Sequence, residues 1–123
     1  MSDFDLIIRN GTVVTASDLM CCDIGVRVGK VVALAEHLEG ARQIIDATGK
    51  HVLPGGVDGH CHLDQPMSDG SRMADDFASG TIAAACGGTT TVIPFACQTK
   101  GGAIMSAVED YHRRADGKAL VDY

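Results

Sequence analysis

Four features that define other protein classes are missing from this sequence of 123 residues. No basic stripe is present, because 16 acidic residues outnumber 10 basic ones and give a net charge of −6. The phosphate groups of a nucleic acid would find no cluster of basic side chains to neutralise them, which argues against a nucleic acid as partner. The negative net charge itself indicates ordinary solubility. No apolar run approaches the roughly 20 residues of a membrane-spanning helix, so we expect no membrane partner.

The cysteines also lack the pattern of a disulfide or zinc framework. Five are present, two of them adjacent, and no Cys-x-x-Cys motif occurs. We therefore expect reduced thiols, as in cytosolic proteins. The first five residues (MSDFD) carry two aspartates and no basic residue, and no apolar core of a secretory signal follows them. The sequence therefore predicts a cytoplasmic location.

The residues that are present suggest a β-rich first part, residues 1–54. Two β-branched runs flank Asn10-Gly11, a dipeptide that favours a type I′ hairpin. Further strands are predicted at residues 22–28, 31–35 and 44–46, with a tight turn at Gly29-Lys30. Together these patterns predict a small antiparallel β unit. Two histidines in this part, His37 and His51, have no paired ligand nearby, and we interpret both as surface residues.

Residues 55–123 show the alternation of strand and helix that is typical of a parallel sheet. Strands are predicted at residues 57–62, 89–95 and 120–123, the second of them buried on both faces. Helices are predicted at residues 77–86 and 104–115. Asp75 or Asp76 is positioned to cap the first helix, and Gly87-Gly88 ends it.

His60 and His62 close the first of these strands. Residues i and i+2 of a strand point to the same side, so the two imidazoles project together while Cys61 points away. Paired imidazoles suit a first-row divalent metal, most often zinc. An isolated His-x-His is a weak signal by itself, because such pairs also occur by chance on exposed strands.

Three stretches make the sequence resemble the amidohydrolase superfamily, and within it the hydantoinase/dihydropyrimidinase branch. They are residues 55–66 (GGVDGHCHLDQP), 75–81 (DDFASGT) and 86–92 (CGGTTTV). The resemblance implies an α/β fold in which an N-terminal portion of a β-sandwich, residues 1–54, precedes a TIM-type (β/α)₈ barrel. Residues 55–123 correspond to the first two βα units of that barrel and the start of its third strand.

The resemblance also implies the chemistry and the assembly. In that branch a His-x-His pair holds one of two divalent metals, a carboxylated lysine bridges them, and metal-bound hydroxide opens the amide C–N bond of a cyclic ureide. Only the metal ligands His60 and His62 map onto this chain. No lysine falls in a matching motif, and the catalytic aspartate of the family corresponds to a position beyond Tyr123. The complete enzymes of the branch are expected to be homotetramers or dimers.

Two acidic residues near the pair have alternative interpretations. Asp58 shares the face of the histidines, and either orients an imidazole as a hydrogen-bond acceptor or is a polar residue at the strand's lower end. Asp64 either contacts substrate or is solvated. Dihydroorotase relatives typically carry an arginine at the position of Asp64, to bind a substrate carboxylate. An aspartate there favours an uncharged ring such as a hydantoin or a dihydropyrimidine.

The loop that follows the pair contains Leu63, Pro66, Met67 and Met73. In hydantoinase-like relatives the corresponding loop closes over the exocyclic group of the substrate. The alternative is that these side chains pack against the rim of the barrel.

Chain length limits what the resemblance implies for these residues alone. A (β/α)₈ barrel needs roughly 250 residues, so we expect this chain to be the amino-terminal part of a longer enzyme and to be inactive by itself. The competing hypotheses are a non-catalytic protein on the same scaffold and a truncated fragment without an independent role.

Overall fold

The computed structural model of the chain describes residues 3–123, and the chain divides into two compact units, Met1–Pro54 and Gly55–Tyr123. The first unit contains strands only: β1 (Phe4–Arg9), β2 (Thr12–Val14), β3 (Leu19–Cys21), β4 (Asp23–Arg27), β5 (Lys30–Ala35), β6 (Ala41–Asp46) and β7 (His51–Val52). The second unit alternates strands and helices: β8 (Gly56–Cys61), α1 (Phe77–Cys86), β9 (Thr89–Pro94) and α2 (Ile104–Ala115).

The first unit forms two mixed sheets, so the prediction of an antiparallel unit was wrong. One sheet has the order β5-β4-β1-β6 and the other the order β3-β2-β7. In each sheet one pair is parallel, β1 with β6 and β2 with β7, while the remaining pairs are antiparallel. The buried apolar residues of this unit are Ile7, Val13 and Ile24 on its strands and Ala47 directly after β6.

The hairpin predicted at Asn10-Gly11 does not form, because β1 and β2 enter different sheets. A type I′ turn needs positive φ at both central residues, and here Asn10 has φ 63° while Gly11 is not in the left-handed region. Asn10 instead donates its backbone N–H to Asp23 Oδ1 and its side-chain amide to Asp46 Oδ1, both at 3.1 Å. These bonds direct the chain out of the first sheet.

A two-residue turn with this geometry does form between β4 and β5, one residue earlier than predicted. Val28 and Gly29 have φ values of 50° and 70°, and Arg27 pairs with Lys30 across the turn. Valine rarely adopts positive φ. The side chain of Asp5 supports it here, because its Oδ2 accepts the N–H of Val28 at 2.6 Å.

The second unit is built on the parallel pair β8–β9, which α1 connects. The two helices have the predicted bounds. Asp76 caps α1 in a reciprocal capping box with Ser79, and the N–H of Gly87 bonds to carbonyls of the last turn. The predicted third strand is reduced to one parallel bridge, between Asp122 and Thr91, with two backbone hydrogen bonds to β9.

A single apolar cluster holds the second unit together: Leu63, Phe77, Val92, Tyr111 and Ala115. Thr81 is buried beside it, where its hydroxyl donates to the carbonyl of Phe77 and accepts the N–H of Leu120 at 3.0 Å. The cluster covers only one face of β9, since Ile93 on the other face is 54% exposed. The prediction that this strand is buried on both faces was therefore wrong for the residues described.

Candidate metal centre

The His60 and His62 imidazoles lie on the same side of the end of β8. His60 is the penultimate residue of β8, and His62 lies one residue beyond its end at Cys61, whereas the sequence predicted a strand that includes residue 62. Both side chains are exposed, and their ring centroids are 5.4 Å apart at an interplanar angle of 61°. Cys61, between them, packs against the apolar cluster on the other side of the strand. The alternation expected from the sequence is therefore present.

The spacing of the two rings fits a shared divalent cation. Zinc binds imidazole nitrogen at about 2.0–2.1 Å, which at near-tetrahedral angles leaves two ring centres about 5 Å apart. The pair is only part of a site, because catalytic zinc normally has three protein ligands. Within residues 3–123 the structure contains no group of three or more His, Cys, Asp or Glu side chains arranged to hold a metal.

The thiol of Cys61, between the two histidines in the sequence, is poorly suited to be a third ligand. Burial raises the pKa of the Cys61 thiol above its ordinary value, and the charge of Asp58 raises it further. A metal ligand must be the thiolate, which this environment disfavours. The donor set in this part of the chain is thus the two imidazoles.

Two residues that sequence reasoning did not assign to the site contact the histidines. Gln65 Oε1 lies 2.5 Å from Nδ1 of His62. The ring of Phe95, directly after β9, stacks on His62 at 5.2 Å and 14°, and lies 4.4 Å from the ring of His60. The only sequence signals were the short interval between His62 and Gln65, and an aromatic residue at the end of the strand predicted to neighbour β8.

The carboxylates predicted to assist the pair are engaged with the backbone and with an arginine. Asp58 Oδ1 accepts the backbone N–H of His60 at 3.0 Å, so the contact that the structure records is not with an imidazole. Asp64 has φ 47°, and its carbonyl accepts a hydrogen bond from Arg114 at 2.8 Å while its carboxylate lies 3.9 Å from the same guanidinium. Arg114, on α2, therefore offsets the negative charge that the sequence places at Asp64.

The loop after β8 borders a cavity of about 650 Å³. Met67 is 45% exposed and lines this cavity together with Asp64, Arg114 and Lys118, whereas neither histidine does. Leu63 is only 8% exposed and belongs to the apolar cluster, so of the two alternatives for this loop its burial favours packing. Met67 has the exposure that the substrate alternative requires.

The other histidines and cysteines considered in the sequence lie outside this arrangement. His37 is exposed and lies 3.2 Å from Glu39 and 3.7 Å from Asp23, and His51 is exposed on β7. All five cysteines are free, as expected.

In the part of the chain that the structure describes, neither helix has the length and apolarity required to cross a membrane.

Known proteins are similar to this chain in both sequence and structure. The amidohydrolase family profile matches residues 43–115. D-hydantoinase of Geobacillus stearothermophilus is 48% identical over 95% of this chain and 25% of its own length, and dihydropyrimidinase of Rattus norvegicus is 43% identical over 96% of this chain and 24% of its own. The crystal structure of dihydropyrimidinase from Brevibacillus agri superposes with a TM-score of 0.89 at 47% identity, covering 95% of this chain and 25% of that one.

The chain thus spans about a quarter of the length of the relatives it matches. The matched region includes the strand end that carries the histidine pair, and the three relatives named above are a hydantoinase and two dihydropyrimidinases. By sequence and by fold, this chain belongs to the amidohydrolase family.

Proposed function

We propose that this chain supplies the first two metal ligands of a metal-dependent hydrolase that opens cyclic amides. The observation that carries the proposal is the placement of the His60 and His62 rings on one side of the end of β8, 5.4 Å apart. His60 and His62 would hold a divalent cation, with zinc as the proposed metal. Such a cation supplies Lewis-acid polarisation of an amide carbonyl when it is bound.

The proposed substrate is an uncharged cyclic ureide. Its support is Asp64, which stands two residues beyond His62 where a carboxylate-binding relative would need a cation. Because Arg114 already contacts the carbonyl and the carboxylate of Asp64, this guanidinium is not free to bind a substrate carboxylate. Exposed Met67 is proposed to contact the exocyclic group of the substrate ring. Asp58 is proposed to position His60, whose backbone N–H donates to its carboxylate.

The proposed setting is a (β/α)₈ barrel, in which β8–α1 and β9–α2 are the first two units. Its support is the parallel pairing of β8 with β9 and of β9 with the segment at Asp122. A binuclear site, a dimeric or tetrameric assembly and a cytoplasmic location belong to the same proposal. The 123 residues alone are expected to show no turnover, because a two-ligand site is incomplete.

A second candidate is a non-catalytic protein on the same scaffold, against which the retained His60 and His62 argue. Across residues 3–123 no third side chain joins the two histidines as a metal ligand. Hydrolysis separates the candidates: the zinc-loaded protein that carries this chain should open hydantoin or dihydrouracil under the first proposal and neither ring under the second.

The metal ligands are tested by zinc titration of the chain and of its His60→Ala and His62→Ala variants. We expect each substitution to weaken zinc binding by at least about tenfold. Loss of a residue that merely hydrogen-bonds to a metal ligand already lowers metal affinity by about that factor, and loss of the ligand itself should lower it at least as much. His51→Ala is the matched control, because His51 is an exposed histidine on β7 of the other unit. Equal zinc affinity in all three variants and the parent chain would contradict the assignment.

A further inference from the structure

The side chain of Gln65 makes a contact that gives one member of the histidine pair a defined orientation. We infer that Gln65 is a positioning residue for His62: its carbonyl oxygen holds the Nδ1–H tautomer and leaves Nε2 as the nitrogen that binds the cation. Gln65 touches the ligand and not the metal. The effect of Gln65 on metal binding rests on the proposed function. The hydrogen bond and the tautomer of His62 do not, because both can be measured in the metal-free chain.

The bend of the loop brings Gln65 back to a residue three positions earlier. Asp64 has φ 47°, which reverses the chain immediately after Leu63. Two hydrogen bonds fix this reversal: the N–H of Asp64 donates to the carbonyl of Asp75 at 3.0 Å, and Arg114 donates to the carbonyl of Asp64 at 2.8 Å. The position of Gln65 is therefore set from two other parts of the unit.

The chemistry of the contact selects one tautomer. A neutral imidazole has one nitrogen that donates and one that accepts, and the side-chain carbonyl of glutamine only accepts. Oε1 of Gln65 lies 2.5 Å from Nδ1 of His62, and this contact is a hydrogen bond in the neutral ring when Nδ1 carries the proton, which leaves the lone pair on Nε2. Metal-binding histidines commonly donate their other ring N–H to an oxygen in this way, which fixes the ring and increases its basicity as a ligand.

Phe95 restrains the same ring in the remaining direction. Its ring is nearly parallel to that of His62, at 14° and 5.2 Å, so rotation of the imidazole out of this plane would break the stack. The hydrogen bond fixes which nitrogen is protonated, and the stack fixes the plane. Together they orient Nε2 of His62 before a cation is bound.

The tautomer is measured by ¹⁵N NMR of the metal-free 123-residue chain in alkaline buffer, where neutral imidazole predominates. We expect the parent chain to show N–H at Nδ1 of His62 and a lone pair at Nε2. Gln65→Leu should lose this preference and weaken zinc binding by about 10- to 100-fold. Gln65→Glu keeps an oxygen acceptor and should retain the tautomer that Gln65→Leu loses. If Gln65 had only a structural role, the two variants would not be expected to differ in this way.

Gln98→Leu is the matched control, because the side-chain amide of Gln98 donates to the carbonyl of Gly102 and not to an imidazole. It should leave the tautomer of His62 and the zinc affinity unchanged. The inference is overturned by a parent chain with His62 protonated at Nε2, or by a Gln65→Leu variant with an unaltered tautomer. A parent chain that shows the Nδ1–H tautomer but binds no zinc would instead count against the proposed function and leave the positioning contact standing.

Discussion

Replacing Phe77 with alanine is expected to lower the free energy of unfolding of the second unit by about 3–5 kcal/mol. Phe77 is 1% exposed and lies in the apolar cluster with Val92 and Tyr111. Its ring makes an edge contact with Tyr111 at 6.2 Å. The substitution removes both the buried apolar surface and these contacts, and leaves a cavity that the two helices cannot close without shifting.

Urea unfolding measures this loss, and amide exchange in α1 and β9 locates it in the second unit. Phe95→Ala is the matched control, since the same substitution at a residue that is 44% exposed removes less buried apolar surface and should cost less than Phe77→Ala. Similar losses for the two variants would contradict the position that the structure gives to the core.

Replacing Asp23 with alanine is expected to destabilise the first unit by about 3 kcal/mol, because charge-assisted hydrogen bonds are lost from a buried carboxylate. Asp23 is 2% exposed. Its Oδ1 accepts the N–H of Asn10 at 3.1 Å and its Oδ2 the N–H of Leu38 at 3.0 Å, while Arg9 lies 3.5 Å away. Without the carboxylate, two backbone donors lose their acceptor, and the guanidinium of Arg9 loses the negative charge beside it.

The same residue makes the stability of the first unit depend on acid. Burial raises the pKa of Asp23, but the N–H groups of Leu38 and Asn10, with the charges of Arg9 and His37, outweigh that effect, so the pKa lies below its ordinary value. The carboxylate then contributes its full stabilisation above the ordinary aspartate pKa of about 3.9, and the contribution is lost as the pH falls through the folded-state pKa.

Thermal unfolding at a series of pH values, for the parent chain and for Asp23→Asn, tests this dependence. The variant should be less stable at neutral pH, and the difference should shrink as the pH falls. Asp18→Asn is the control, because Asp18 is an exposed aspartate that bonds only to its neighbours in a turn. A constant difference between parent and Asp23→Asn across the acid range would be inconsistent with a carboxylate that is ionised in the folded state.

The helices of the second unit could be predicted to the residue because their ends are determined locally. Asp76 and Ser79 are three positions apart, which is the spacing of a capping box, and Gly87-Gly88 allows the chain to leave the helix. The start of α2 has no side-chain cap, but the apolar spacing in Ile104–Ala115 still located it. Signals of this kind do not depend on the rest of the chain.

The sheets of the first unit could not be predicted in the same way, since their pairing depends on residues far apart. Phe4 pairs with Ala41 and Thr12 with His51, and nothing in either strand alone indicates its parallel partner. The Asn10-Gly11 signal was outweighed by the buried carboxylate of Asp23, which binds the N–H of Asn10. A tertiary contact thus decided a turn that local preference would have assigned differently.

The candidate site shows the same division. The two histidines follow from the two-residue period of a strand, which their own spacing reveals. The contacts of Gln65, Phe95 and Arg114 depend on a loop reversal, on a neighbouring strand, and on a helix 50 positions along the chain from Asp64. These three residues carry no motif that identifies them without the fold.

The parallel pairing of β1 with β6 has a consequence for the order in which the first unit folds. The β4–β5 hairpin closes through two residues and is expected to form early, whereas β1 has neither neighbour until the later strands β4 and β6 are available. During synthesis β1 emerges before both of its partners, so one of its edges stays unpaired until β4 follows and the other until β6, which ends at residue 46, has left the ribosome. Such an edge can pair with another chain, so slow translation between residues 9 and 41 should favour aggregation of the nascent polypeptide.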